Sequence, residues 1–143
     1  MRWLFFYFYF LFLVCASTVH AKTPQLKIGF VGPLSGPYSH YGKQMWQGAE
    51  LAIHQLNQSG GIHGMQLQLI ALDDRCQTQF AIQQANRFIE ESHVQAVVGH
   101  VCSAATLATM HLYAEAKILL VTPSATHNKI TARGLSKIGR AHV

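Results

Sequence analysis

The chain contains no apolar run of the roughly 20 residues that a membrane-spanning helix needs. Its longest, Trp3 to Val14, stops well short. It has no H-E-x-x-H and no C-x-x-C, the spacings that mark common zinc sites, so no metal centre is expected. Acidic residues are few: six Asp and Glu face eleven Lys and Arg, for a modest net charge of +5. The cations are spread along the chain. No basic stripe with interleaved aromatics forms, and no nucleic-acid partner is expected. No internal repeat is present. Cysteine is scarce as well, with only three in 143 residues.

What is there begins with an export pattern. One positive charge at Arg2 precedes the aromatic and leucine-rich run, and Val19-His20-Ala21 supplies small residues at a cleavage position. This is the three-part layout of a secretory signal peptide, expected over residues 1–21. A retained membrane anchor is the alternative. Phe12 and Val14 do not suit a lipoprotein site at Cys15. Cleavage leaves Cys76 and Cys102. In an oxidising compartment two thiols read as one disulfide, worth about 3 kcal/mol by loop entropy. Two separate buried thiols are the other reading.

Hydrophobic periodicity organises the remainder. Leu26 to Val31 reads as a strand, Gly32 to His40 as a loop, and Tyr41 to Gln58 as a helix with Met45, Trp46, Ala49, Ala52, Ile53 and Leu56 on its core face. Gln66 to Leu72 is a second strand. Thr78 to Glu91 is a helix with Ala81, Ile82, Ala85, Phe88 and Ile89 inward. Val94 to Val98, Leu107 to Ala116 and Lys117 to Val121 follow as strand, helix and strand. The βαβαβαβ order predicts an α/β domain: a Rossmann-like parallel sheet with helices on both faces. Ligands then bind outside the carboxyl ends of the strands.

Two of those ends stand out. Gly99-His100-Val101-Cys102-Ser103-Ala104-Ala105-Thr106 runs from a strand into a helix, whose first turn offers free N–H groups and a positive dipole end to an anion. Thr122-Pro123-Ser124-Ala125-Thr126 ends the next strand. Ser103 and Thr126 could hold a carboxylate between them, or simply cap helices. Tyr41 could wall the same cleft, although its spacing favours a core aromatic at a helix start, and Trp46 reads as core too. Asp73-Asp74 reads as a turn-capping, solvated pair rather than a metal or phosphoryl site. His100 beside Cys102 could activate a thiol, which a disulfide would remove. His54, His63 and His111 read as surface or turn residues.

Taken together, these residues resemble the periplasmic leucine/isoleucine/valine-binding proteins that serve branched-chain amino acid ABC transporters. The resemblance runs from about Leu26 to Ser136. It is carried by Gly32-Pro33-Leu34-Ser35-Gly36-Pro37 with Tyr41-Gly42, by Gly48-Ala49-Glu50, and by Gly60-Gly61-Ile62-His63-Gly64. It continues through Asp73-Asp74-Arg75-Cys76, Gly99 to Ser103, Thr122 to Thr126, and Thr131-Ala132-Arg133-Gly134. The resemblance implies a type I periplasmic binding protein, two lobes closing on a ligand, with this chain supplying an incomplete first lobe over residues 22–136. It implies an amino acid bound through its carboxylate by Ser103 and Thr126. Ser124 and Ala125 would line the site, and Val101, Cys102 and Tyr41 would touch the ligand. It pairs Cys76 with Cys102, and it implies a periplasmic binder, not an enzyme, with no cofactor. The full-length protein would be a monomer serving an inner-membrane ABC permease. Ser124 departs from the alanine common in branched-chain binders, and Ala104 and Ala105 replace hydroxyl residues of some members. Relatives that bind amides or urea, and receptor domains of this fold, are the alternatives. The acid that pairs with the ammonium group belongs to the second lobe.

Residues Ile138-Gly139-Arg140-Ala141-His142-Val143 match one reading frame of a common sequencing adaptor, with a stop codon next. Residues 137–143 are therefore expected to be a non-native tail without structure.

Overall fold

A computed structural model describes residues 24–141. The expected signal peptide, residues 1–21, lies outside them, as does Cys15. Five strands form one parallel sheet in the order β2-β1-β3-β4-β5. These are β1 (Gln25–Gly32), β2 (Gln66–Asp73), β3 (Ala96–Val98), β4 (Leu119–Thr122) and β5 (Ile138–Arg140). The helices are α1 (Ser39–Gln58), α2 (Thr78–Arg87), α3 (Ser103–Glu115) and the single turn α4 (Lys129–Ala132). The chain leaves β1 toward β2 on one side and builds β3, β4 and β5 on the other. The topological switch point therefore lies between β1 and β3, where this strand order places its ligand crevice.

The alternation of each strand sorts its side chains between two faces. Gly29 pairs with Ile70 and Val97, and Val97 pairs with Leu120, so these residues share one face. That face carries the main core, in which Val31, Val97, Leu120, Phe88, Met110 and Tyr113 are buried together. Helices α2 and α3 pack on each other there. Gly29 has no side chain because the Phe88 ring fills that space, with its Cζ only 2.9 Å from where a Cβ would stand. On the opposite face α1 lies along β1 and β2. Asn57 of α1 reaches the open edge of β2, accepting from Leu67 N at 2.7 Å and donating to Leu67 O at 2.8 Å. This satisfies an edge that would otherwise invite another strand.

Several expectations are corrected. Ala52 and Leu56 are exposed, and Met45, Trp46, Ala49 and Ile53 are only half-buried, because among the described residues no other helix packs against α1 on its face. Ile82 is 38% exposed, since it sits at the margin of α2 rather than beneath it. The α-helix stops at Arg87 and continues as a π-helical turn over Phe88–Ser92, which closes with His93 in the left-handed conformation. The strand expected from Val94 is paired as β3 only over Ala96–Val98, although Val94 itself lies in the core.

The expectation that the tail lacks structure is corrected at residues 138–140. They pair in parallel with β4 as β5, and Ile138 packs against the core. The cause is general: the outer edge of β4 presents unpaired N–H and C=O groups, and backbone pairing accepts almost any extended segment.

Phe88 is fully buried and wedged against Gly29. Phe88→Ala in the full-length protein should therefore cost about 3–5 kcal/mol in urea denaturation. A loss under about 1 kcal/mol would mean that the ring does not anchor α2 to the sheet.

Candidate functional site

The loops after β1, β3 and β4 converge at the carboxyl edge of the sheet. The loop after β3 is the most constrained. Gly99 has φ +141°, and any Cβ there would collide with the Val31 carbonyl. The Gly99–His100 peptide is cis. Val101 then lies over the end of β1, with its Cγ2 2.8 Å from the place a Gly32 Cβ would occupy. Gly99 is needed because two backbones meet there with no room between them, whereas a Cβ at Gly32 would press on the Val101 side chain.

From β2, Asp74 and Cys76 reach across to this loop. Asp74 Oδ2 lies 2.7 Å from His100 Nδ1, and Cys76 forms a disulfide with Cys102, their Cα atoms 5.5 Å apart. The expected disulfide is present, and Cys102 is no nucleophile. Asp74 does cap its turn, accepting from Cys76 N at 2.9 Å. It is not solvated: its exposure is 0%, as is that of His100. Burial follows from register. Gly32 pairs with Asp73, so the next residue turns inward beneath the β3 loop.

The β4 loop is tied on from the other side. Thr122 Oγ1 donates to the His100 carbonyl at 2.7 Å and accepts from Ala125 N at 3.2 Å. Ser124 Oγ donates to the Val101 carbonyl at 2.8 Å. Ser103 Oγ accepts from Thr126 N at 3.2 Å and His127 N at 3.4 Å. Ser103 does not cap a helix: it is the first residue of α3, and no side chain caps that end. Ser103, Thr126, Ser124, Ala125, Val101 and Cys102 thus form one cluster at the ends of β3 and β4. Within it Ala125 is buried, Thr126 is exposed and the others are half-buried.

Tyr41 stands apart from this cluster, near the start of α1. It is 51% exposed, so the core reading from its spacing is corrected; its ring lies 3.9 Å from that of His40, centroid to centroid. An open depression of about 350 Å³ runs along residues 122–126 with Arg140 and Ala141 on its rim, and Arg140 Nη1 donates to Thr126 O at 2.9 Å. Tyr41, Val101 and Ser103 do not line it. His54, His63 and His111 are exposed, as expected, and no cluster of three metal-ligating side chains occurs among the described residues.

Asp73 secures the β1 loop. It accepts from Leu34 N at 2.8 Å, from Arg75 N at 3.0 Å and from the Ser35 hydroxyl. Burial would raise its carboxyl pKa, but the hydrogen bonds from Ser35 and from the Arg75, Leu34 and Ser35 amides outweigh burial and hold it below the ordinary 3.8.

The fold and these strand-end loops agree with what comparison finds. The family model described as periplasmic binding protein matches residues 25–136. This chain belongs to that family. The "amino acid binding protein" of Pseudomonas aeruginosa is 40% identical over 127 residues, covering 89% of this chain and 34% of that protein. A "leucine-, isoleucine-, valine-, threonine-, and alanine-binding protein" of the same organism is 41% identical over 115 residues, 80% of this chain and 31% of its own length. A solved branched-chain amino acid transporter substrate binding protein from Streptococcus pneumoniae, in complex with isoleucine, superposes with a TM-score of 0.75 at 34% identity. It covers 79% of this chain and 32% of that one. The chain spans about a third of the length of the relatives it matches.

In this chain, the sequence pattern did not single out Thr122, nor did it join Asp74, His100 and Tyr113. The available signal was polarity at the ends of buried strands, where an acid or imidazole needs a partner.

Because the Asp73 carboxyl is held below 3.8, its contribution is complete above that value and is lost as pH falls through the folded-state pKa. In the full-length protein Asp73→Asn should be less stable than wild type near pH 6. The difference should shrink as pH is lowered below 3.8, in urea titrations at each pH. A pH-independent difference would show that the Asp73 charge does not hold the β1 loop.

Proposed function

We propose that the full-length protein is the solute-capturing component of an ABC importer for branched-chain or related amino acids. Residues 1–21 would direct export to the periplasm, and residues 22–136 would supply one wall of the ligand cleft. The observation that carries this reading is the hydrogen-bond state of Ser103. Its oxygen already accepts from two backbone amides, Thr126 N and His127 N. The hydroxyl proton is left to donate outward, toward an acceptor such as a carboxylate. The first-turn amides of α3 have no intrahelical partners and add donors and positive potential beside it. Thr126 brings a second, exposed hydroxyl. On this reading Ser124 and Ala125 would shape the floor, Val101 and Cys102 would meet the apolar part of the ligand, and Tyr41 would reach it from the start of α1.

Relatives support the ligand class: one bears leucine, isoleucine and valine in its name, and one was solved with isoleucine bound. The role is binding rather than catalysis. The Cys102 sulfur is bonded to Cys76, and the His100 ring is buried away from the cleft, so neither can serve as a nucleophile or exposed base. The second lobe would supply the ammonium partner, and an inner-membrane permease would receive the amino acid.

Calorimetry on the full-length protein with L-leucine, L-isoleucine, L-valine and several polar amino acids should find one tight class. Ser103→Ala and Thr126→Ala should each weaken it by about 1.5–3 kcal/mol, the range for a hydrogen bond to a charged group. Unchanged affinity with both hydroxyls removed would place the carboxylate elsewhere.

A further inference from the structure

The loops after β2 and β3 are joined twice, at matching positions. Cys76 and Cys102 join them covalently; two residues earlier on each loop, Asp74 and His100 join them through a hydrogen bond. The second link differs from the first in what it reaches. The disulfide ends at Cys102. His100 continues in two directions, one through its ring and one through its main-chain carbonyl. On the outer side, Tyr113 Oη of α3 lies 3.3 Å from His100 Nε2. On the inner side, the His100 carbonyl accepts from Thr106 Oγ1 at 3.2 Å and Thr122 Oγ1 at 2.7 Å, and Thr122 Oγ1 takes the amide of Ala125. Asp74, His100, Tyr113, Thr106 and Thr122 are all 0–1% exposed.

The direction of each bond follows from chemistry. An ionised carboxylate only accepts, so Nδ1 of His100 carries the proton toward Asp74. Burial, with the Asp74 charge nearby, holds the Tyr113 hydroxyl protonated far above its ordinary range, and it can donate to Nε2. No ligand could reach any of these groups, and the binding role proposed above uses none of them directly.

We propose that the Asp74–His100–Tyr113 chain is a second clamp on the binding loops, one that holds residues 99–103 and 122–126 together when the Cys76–Cys102 bond is open. His100 is then a positioning residue for Ser103 and Thr126. Removing one partner strands a buried polar group on the other side, so a buried, fully paired chain resists opening. Water cannot relieve the loss, because the whole chain is sealed from solvent. The disulfide ties the β2 and β3 loops alone. The imidazole chain also ties them to α3 through Tyr113, and it fixes the His100 main chain, whose carbonyl holds Thr122 of β4; the site needs both links in order to present both hydroxyls at once.

Native-state hydrogen exchange by mass spectrometry, on the full-length protein without ligand, reads this directly. Peptides spanning residues 99–106 and 122–127 should exchange within about threefold of the same rate in the oxidised and reduced wild type. His100→Phe keeps the volume and removes both ring bonds. With the disulfide intact it should raise exchange in both peptides about tenfold or more. His100→Asn returns a donor at the Nδ1 position and should restore most of the protection, a recovery that volume alone would not give. Leucine affinity by calorimetry should follow the same order. Exchange is measured without ligand, so failure of leucine to bind would count against the proposed function and not against the clamp. Reduced wild type exchanging as fast as His100→Phe, or oxidised His100→Phe protected like wild type, would overturn the proposal. If His100→Phe does not fold, Tyr113→Phe takes its place. It should speed exchange at least about threefold in the same peptides, and no change there would equally overturn it.

Discussion

The loop after β3 must pass over the carboxyl end of β1 to meet its partners on β2, since β1 lies between those strands. That crossing organises this edge of the sheet. It requires glycine at position 99, where a Cβ would meet the Val31 carbonyl, and it packs Val101 closely over Gly32. It brings Cys102 onto Cys76 and His100 onto Asp74. It also turns the Val101 and His100 carbonyls toward β4, where Ser124 and Thr122 meet them. The three-residue strand β3 could not hold so much geometry through its own ladder. The constraint is supplied from the flanking loops.

A consequence is that the hydroxyls at this edge are already committed before any ligand arrives. Ser124 and Thr122 spend their protons on carbonyls of the β3 loop. Ser103 spends its lone pairs on amides of the β4 loop. Each bond has a fixed direction, so the donors left over are fixed too. A site built this way does little reorganising on binding, which lowers the ordering cost of association. This edge is open to solvent at Thr126. This suits a cleft completed by a second lobe that excludes water when it closes.

Much of this was legible in the sequence. Val94 to Val98 and Lys117 to Val121 are apolar runs bounded by small polar residues, and that pattern located the strand ends and hence the candidate site. The Cys76–Cys102 pair followed from the expected export and a count of two. Other features were hidden because they depend on register and neighbours rather than on local pattern. Asp74 looks like any acid at a turn; only the pairing of Gly32 with Asp73 carries it under the β3 loop. His100 looked like a base for Cys102, yet its ring turns inward. Tyr41 and Leu56 have helical spacing, but among the described residues α1 has too little sheet and no helix packed beside it to bury them. Ile138 pairs with Leu120 through backbone groups that any sequence carries, so no side-chain pattern announced β5.

The central claim is that the loops at the ends of β3 and β4 form a carboxylate site that is already in its binding shape. Crystal structures of the full-length protein, free and with L-leucine, test this most directly. The account predicts that the backbone of residues 99–103 and 122–126 superposes within about 1 Å in the two states, as preorganised sites do. It also predicts that the leucine carboxylate lies within hydrogen-bond distance of the Ser103 and Thr126 hydroxyls. Loops that rebuild on binding, or a carboxylate held by other residues, would contradict it.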